Sequence, residues 1–430
     1  MAKRTKLEGR TRAVGRGGEG VVETAEGIVM VPGALPGEHV ELQLLPSKRG
    51  AQRGRLLRVV EASAQRIDPT CPEVSRCGGC PLMVANPNLQ RDIKLGYLRD
   101  AFEGLPGADS ITPEWITAGN ELQYRRRARL AWHGATLGYR LPRSRRVTDI
   151  ERCLVIEPSL QAAWQNVRVT LGGVLSGSGD VRLERSGARD VVVGLATNDE
   201  QSPDLFIACE ALSGCDGISG VTLRTDANLA PASWGETTLH IGSGNDWLTA
   251  PSSGFAQAND AINRLLIEHV VRLAAPKELR VLELHSGVGN FTLPLAAASP
   301  SALIAVEQDA DAVEACRRNI RERGLHARVT IGDANAPPKG HYDVVVLDPP
   351  RQGARALFEK SGLFPGPKRI VYVSCDTSTL ARDLRIVTEA GYRIDTAIGF
   401  DMFPQTAHLE SLVRLVRHRT TGIAPSSSGR

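Results

Sequence analysis

Three groups of residues in this 430-residue chain have types and spacings that can do chemistry. The first pairs Cys375, in Val373-Ser374-Cys375-Asp376, with Glu410, in Thr406-Ala407-His408-Leu409-Glu410-Ser411. Cys375 ends an apolar run and precedes a helical stretch starting near Thr377, and a helix N-terminus favours the thiolate, the nucleophilic form. A cysteine in such a run is more often a small buried hydrophobe. Its place at the carboxyl end of a strand, where parallel sheets hold ligands, favours the chemical reading. Glu410 opens the last strand pattern and is a candidate general base; alone it would be only a surface carboxylate.

The second group is the loop Glu283-Leu284-His285-Ser286-Gly287-Val288-Gly289-Asn290, with Glu307, Asp333 and Asp348 at the ends of the strands that follow. Gly287 and Gly289 let the backbone approach a ligand, and Glu307 is placed to accept hydrogen bonds from ribose hydroxyls. The third glycine of the dinucleotide fingerprint is missing. That disfavours NAD and fits S-adenosylmethionine, whose adenosine needs no pyrophosphate cradle. Any one of these acids read alone is a helix cap.

The third group is Cys71-x5-Cys77-Gly78-Gly79-Cys80, with Cys153 beyond a basic segment. Zinc sites usually come as two Cys-x2-Cys pairs. Three close cysteines and a remote fourth suit a [4Fe–4S] cluster, with glycines making room for sulfide. Cys209, Cys215 and Cys316 have no such partners and read as structural.

The elements that must position these groups follow from periodicity. Arg280–Leu284, Ala302–Glu307, Arg328–Ile331, Tyr342–Leu347 and Arg369–Ser374 are apolar runs with strand character, separated by helical stretches near 290–298, 309–323 and 377–390. This alternation is that of an α/β, Rossmann-like, doubly wound sheet from residue 251 to 430. Residues 1–62 read instead as glycine-punctuated strands at barrel spacing, an OB-like small β-barrel. Its basic tip Lys48-Arg49-Gly50-Ala51-Gln52-Arg53 suits a nucleic-acid backbone. Between them, 63–250 reads as a mixed α+β unit carrying the cysteine loop, a helix near 88–104 and alternating segments such as Arg127–Trp132 and Val191–Leu195.

Composition excludes a disordered, collagen-like or disulfide-dense chain: 42% of residues are hydrophobic and 23% charged. Net charge is only +4, but residues 1–60 hold 11 Lys/Arg against 6 Asp/Glu, and 121–150 hold 8 Arg against 2 acids. Two basic segments in a near-neutral chain point to a polyanion, although a solvated face is the plainer reading of either alone. The longest stretch without formal charge, Leu284–Val306, carries glycines and prolines and reads as a buried strand–loop–helix rather than a membrane span. The basic start leads into no apolar segment of an export signal, so the eight cysteines are expected in a reducing cytoplasm.

Together these residues resemble the RNA (uracil-5-)-methyltransferase family over nearly the whole chain. The resemblance implies a TRAM domain at 1–62, cluster ligands at Cys71, Cys77, Cys80 and Cys153, and a donor-contacting Gln257 in Phe255-Ala256-Gln257-Ala258-Asn259. It implies adenosyl contacts from the 287–296 loop and helix, with His285, Asn290, Glu307, Asp333 and Asp348 as cofactor residues. Asp348-Pro349-Pro350-Arg351, Ser374-Cys375 and Asp401-Met402-Phe403-Pro404, with Thr406, His408 and Glu410, match the family's substrate-side motifs. Where the family has Asp, Phe and Cys, this chain has Glu283, His285 and Ser286.

The implied reaction makes 5-methyluridine. Cys375 adds to C6 of a uridine drawn from its stack, C5 takes the methyl of S-adenosylmethionine, and Glu410 removes the C5 proton. Asp348 orients the base or the cofactor, and Phe403 packs on the flipped ring. Family members with both barrel and cluster act mostly on large-subunit ribosomal RNA, the alternative being transfer RNA. No protein partner is evident. A rival reading keeps barrel and cluster as a non-catalytic RNA-binding protein, which intact Cys375 and Glu410 oppose. Another is methylation of an exocyclic amine, for which Arg351 stands where an aromatic residue belongs.

Overall fold

The computed structural model describes residues 5–46, 50–142, 144–225, 230–242, 248–252 and 254–418. Five strands close the amino-terminal barrel: β1 (Lys6–Val14), β2 (Glu19–Thr24), β3 (Gly27–Pro32), β4 (His39–Leu45) and β5 (Gln52–Glu61), in the order β1-β2-β3-β5-β4. Val22, Val29, Val31, Val40 and Leu42 alternate inward and are almost fully buried, which closes a core and leaves no sheet edge. The basic tip between β4 and β5 lies partly outside the described residues, at Lys48 and Arg49.

After the barrel the chain forms α1 (Pro87–Phe102) and β6 (Glu114–Ile116), then the central sheet and its helices. That unit contains β7 (Arg127–His133), β8 (Thr136–Arg140), β9 (Val147–Asp149), α2 (Pro158–Leu171), β10 (Ser178–Ser186), β11 (Asp190–Ala196), α3 (Pro203–Ser213), β12 (Ile218–Arg224) and β13 (Ala232–Gly235). Helices α1, α2 and α3 each begin on a proline, whose fixed φ suits the first turn and whose missing N–H costs nothing there. The sheet runs β13-β12-β11-β10-β7-β8-β9, and Trp164 and Leu160 of α2 pack on Trp132, Leu130 and Leu183. A short pair, β14 (Leu239–Ile241) and β15 (Leu248–Ala250), leads into the last unit.

The carboxyl-terminal unit holds α4 (Asp260–Ala274), β16 (Arg280–Leu284), α5 (Thr292–Ala297), β17 (Ala302–Glu307), α6 (Ala310–Glu322), β18 (Arg328–Ile331), β19 (Val344–Leu347), α7 (Arg355–Lys360), β20 (Arg369–Ser374), α8 (Thr377–Glu389), β21 (Tyr392–Phe400) and β22 (Glu410–Arg417). The sheet order is β18-β17-β16-β19-β20-β22-β21-β6, with only β22 antiparallel to its neighbours. Alternate residues of one strand serve opposite cores. Leu282, Val345, Leu347 and Tyr372 face α1, α7 and α8, while Val281, Val344, Val346 and Val371 face α4. Burial on both faces explains the near-continuous Val/Leu/Ile runs, each such side chain contributing about 1.5–3 kcal/mol. The stretch 87–116, read from sequence with the central unit, crosses over: α1 packs on α8 and β21, and β6 extends the sheet beside β21.

Candidate active site

At the carboxyl ends of β16, β17 and β19 lies a cavity of about 260 Å³. Its walls are the loop after β16, Glu307 and Asp309 after β17, Asp348 after β19, and the segment around Gln257. The loop turns through left-handed residues at His285 (φ +62°), Gly287 (+54°) and Gly289 (+106°). At Gly289 a Cβ would lie 2.5 Å from Leu293 Cδ1 and 3.1 Å from Cys316 Sγ, so glycine is required twice over. Glu307 ties the loop down, its carboxylate accepting from the N–H of Gly287 (2.9 Å), Gln308 (2.8 Å) and Asp309 (3.0 Å). Four lone-pair directions leave it capacity for a further donor such as a hydroxyl.

Two of the cofactor residues expected from sequence also bond within the protein. Asn290 lines the cavity, but its amide is engaged in a reciprocal pair with Asn263 (2.9 and 3.1 Å) that ties the loop to α4. Asp333 lies outside the cavity lining, exposed, with Oδ1 accepting from the backbone and side chain of Asn335. Its short side chain caps its own turn, a local bond that competes with any ligand. His285 lines the cavity and is held neutral, because burial pushes its ring below the usual histidine range against the pull of Glu307 and Asp333. Glu283 beneath the loop is buried without a hydrogen bond to either carboxylate oxygen, and burial pushes its carboxyl up to about 8.

Gln257 is buried in the cavity wall on a segment held by the central unit. The Arg126 N–H donates to Ala258 O (3.0 Å) and the Arg127 guanidinium to Ala256 O (2.8 Å), while Arg127 also lies over the Phe255 ring at 5.2 Å. Asn259 caps α4 through Ile262 N. Asp260 then pairs with Arg126 (3.4 Å) and with Arg185, which also meets Glu157 at 2.5 Å. Two buried arginines thus share two carboxylates, and each cation is compensated.

Cys375 and Glu410 are brought together by strand register. Ser374 at the end of β20 pairs with Ser411 of antiparallel β22, so the next residue on one strand and the preceding residue on the other are neighbours. The Ser411 hydroxyl donates to Ser374 O at 2.9 Å. Asp376 caps α8 by accepting from Ser378 N (2.8 Å) and Thr379 N (3.0 Å). Glu410 is only 3% exposed, and one of its carboxylate oxygens has no hydrogen-bond partner. Burial and the neighbouring Asp348 push its carboxyl far up; burial likewise raises Asp348 to about 7. The expectation that α8 favours the thiolate is corrected here. Burial, then Glu410 and Asp348, push the Cys375 thiol up to about 12, outweighing Arg351 and the backbone N–H.

Cys375 lines its own cavity of about 220 Å³ with Arg16, Tyr97, Arg351, Asp376 and His408. The Asp348–Arg351 loop stands between the two cavities, with Asp348 lining the first and Arg351 the second. The loop leading to Glu410 is pinned by α1. Fully buried Lys94 donates to Asp401 Oδ1 (2.7 Å) and Phe403 O (3.0 Å), Gln90 bonds Gln405, and the Tyr124 hydroxyl donates to Pro404 O. Phe403 meets the His408 ring edge-on at 5.8 Å.

The four cysteines of the third group line one small cavity with Tyr139, Met83 and Val155. Among the described residues no three His, Cys, Asp or Glu side chains converge as a single metal ion requires. All eight cysteines are free thiols. Burial raises those of Cys71, Cys77 and Cys80, the last to about 12.

A 23S rRNA (uracil(1939)-C(5))-methyltransferase RlmD of Pectobacterium atrosepticum is 34% identical over 412 residues, covering 92% of this chain and 90% of that protein. Its counterpart from Alkalilimnicola ehrlichii is 35% identical over 433 residues, covering 92% and 93%. This chain belongs to the RNA (uracil-5-)-methyltransferase family. Within it, residues 339–418, which hold Asp348, Cys375 and Glu410, match the model for tRNA (Uracil-5-)-methyltransferase, and residues 249–360 match the Methyltransferase small domain. The Pyrococcus abyssi tRNA (uracil-54, C5)-methyltransferase, solved with S-adenosyl-L-homocysteine, shares the fold: TM-score 0.75 at 23% identity, over 95% of this chain and all of that one.

Sequence reasoning missed several residues that line or support this site. Arg16 and Tyr97 reach the Cys375 cavity from 359 and 278 positions away, a distance no local motif signals. Lys94 carried a signal that was there to use: a lysine at helical spacing from Tyr97, Leu98 and Ala101, on the apolar stripe of α1.

Proposed function

We propose that this protein transfers the methyl group of S-adenosylmethionine to C5 of a uridine in 23S ribosomal RNA. The observation that carries the reading is the division of the site by the Asp348–Arg351 loop, with a carboxylate-lined cavity on one side and the Cys375 cavity on the other, while strand register sets Glu410 next to Cys375. When bound, S-adenosylmethionine supplies an electrophilic methyl group. Uracil C5 is too weak a nucleophile to take it unaided. The Cys375 thiol gives up its proton to solvent and adds to C6, and the electron pair of the C5–C6 bond shifts to form the C4–O4 enolate. C5 would then take the methyl group as the sulfonium S–CH3 bond breaks, its electron pair returning to sulfur and the donor leaving as the neutral thioether S-adenosylhomocysteine. Glu410 removes the C5 proton, the C5–C6 double bond reforms, and the Cys375 thiolate leaves. Gln257, His285, Asn290 and Asp348 are the side chains that would hold the donor, with Glu307 for its ribose, while Asp333 stands outside the cavity lining. Phe403, in the loop leading to Glu410, packs on the extruded base.

We infer further that residues 1–62 act as a TRAM-type RNA-binding domain, 63–250 as an RNA-binding unit, and 251–430 as the catalytic domain. Cys71, Cys77, Cys80 and Cys153 would hold a [4Fe–4S] cluster. The support is that four half-buried thiols line one small cavity of mostly apolar walls, a donor set of sulfurs that suits iron rather than a hard cation. The cluster would join loop 71–80 to the Leu154 and Val155 backbone, which pairs with Gln123 and Arg125 beside the arginines that hold Gln257. Reduced thiols throughout fit a cytoplasmic protein, and among the described residues no helix is long and apolar enough to cross a membrane.

The test is nucleoside mass spectrometry on separate ribosomal and transfer RNA fractions from cells lacking uracil-5 methylation, incubated with anaerobically purified protein and S-adenosylmethionine. New 5-methyluridine in the ribosomal fraction is expected. Its appearance only in transfer RNA would move the substrate, and none in either would refute the reaction.

A further inference from the structure

The barrel reaches the cavity that holds Cys375. Its β1–β2 turn, residues 15–18, is fixed there by contacts to four other parts of the chain. The Tyr97 hydroxyl of α1 donates to Gly15 O at 2.8 Å. Gly18, at φ +82°, lies so close to the 81 and 407 loops that a Cβ would come within 2.5 Å of Pro81 Cγ and 3.5 Å of Ala407 Cβ. The Arg16 guanidinium donates to Ser378 Oγ in the first turn of α8.

Charge separates Arg16 from most of its neighbours on the barrel, Arg55, which donates to Gln43, being the exception. Arg10, Arg12, Arg53 and Arg58 each face a glutamate. Among the described residues, no carboxylate forms an ion pair with Arg16, nor with Arg351 across the same cavity. The one carboxylate lining that cavity, Asp376, has Oδ1 committed to capping α8. Two uncompensated guanidinium groups around a cavity suit an anion, and the planar fork of arginine matches phosphate oxygens. The anion that must accompany a uridine to Cys375 is its own phosphodiester.

We propose that Arg16 and Arg351 bind the phosphodiesters flanking the target uridine, so that the barrel is a wall of the substrate site. This rests on the reading that a uridine reaches Cys375. It makes Arg16 a positioning residue supplied by one domain to the chemistry of another. It also explains the short, glycine-rich turn, which must enter a gap bounded by Pro81 and Ala407.

The experiment follows binding and methylation of an unmodified 23S rRNA transcript from about 50 to 200 mM salt. Wild type is compared with Arg16→Ala, Arg16→Lys and Arg12→Ala, an exposed barrel arginine already paired with Glu23. Arg16→Ala should lower the slope of log affinity against log salt by about 0.7–0.9 and raise KM for RNA several-fold. The affinity for S-adenosylmethionine, which is held in the other cavity, should not change. Arg16→Lys should recover the slope, and Arg12→Ala should match wild type. If Arg16→Ala keeps the wild-type slope and KM while wild type methylates normally, the phosphate contact is refuted alone. If wild type binds RNA with an Arg16-dependent slope and makes no 5-methyluridine, the reaction is refuted and the contact stands. Failure of wild type to bind RNA would overturn both.

Discussion

Glu410 and Asp348 both carry carboxyls that burial holds above the usual range, and a base is useful only after it has lost its proton. The rate should therefore rise with pH through the neutral region, where Asp348 titrates at about 7, and fall away on the acid side as the pair holds its protons. Asp348→Asn removes the negative neighbour that keeps the proton on Glu410, so the acid limb of kcat/KM should move to lower pH. A profile flat across the neutral range would contradict this assignment. Glu410→Gln blocks only the last proton transfer, so a denaturation-resistant protein–RNA adduct should accumulate on ordinary uridine substrate; release of product at the wild-type rate would remove Glu410 from the role. At this scale much of the site was legible, because Cys375 and Glu410 sit in short motifs at the two ends of paired strands. The direction of the thiol's shift was not. A helix N-terminus can be read from Asp376-Thr377-Ser378, whereas the burial and two facing carboxylates that outweigh it come from Asp348 and Glu410, far along the chain.

Helix α1 illustrates what strand and helix periodicity conceals. Its position in the sequence suggests the central unit, yet Lys94, Gln90 and Tyr97 hold the 401–406 loop and the barrel turn to the catalytic sheet. Lys94 is fully buried and its partner Asp401 nearly so. Lys94→Met should cost about 3–5 kcal/mol in denaturant unfolding, because it leaves Asp401 buried and unpaired. Adding Asp401→Asn should return part of that loss, and a single variant as stable as wild type would show that the pair does not hold the loop. The parallel strands were readable because a sheet covered on both faces writes itself as uninterrupted apolar runs. The position of β6 as the last strand was not, since three residues, Glu114–Ile116, carry no period.

The whole molecule joins three units around two adjoining cavities. The barrel supplies Arg16, the central unit supplies the arginines that hold Gln257, and the catalytic sheet supplies the reacting groups. The cysteine cavity lies on the central unit next to the strand bearing those arginines, so its content should govern the shape of the RNA and donor sites without touching the chemistry. Protein stripped of iron is expected to lose thermal stability and RNA affinity together. Iron-free protein that folds and methylates at the full rate would refute a structural cluster.

The central claim is the covalent attack of Cys375 on C6, and it is tested most directly with RNA in which the target uridine is replaced by 5-fluorouridine. Fluorine occupies the place of the proton that Glu410 must remove, so the reaction stops after methyl transfer with the protein still attached. Intact-mass analysis should find protein joined to RNA plus one methyl group for wild type, and free protein alone for Cys375→Ala. A wild type that methylates ordinary RNA without forming this adduct, or an adduct that persists in Cys375→Ala, would contradict the account.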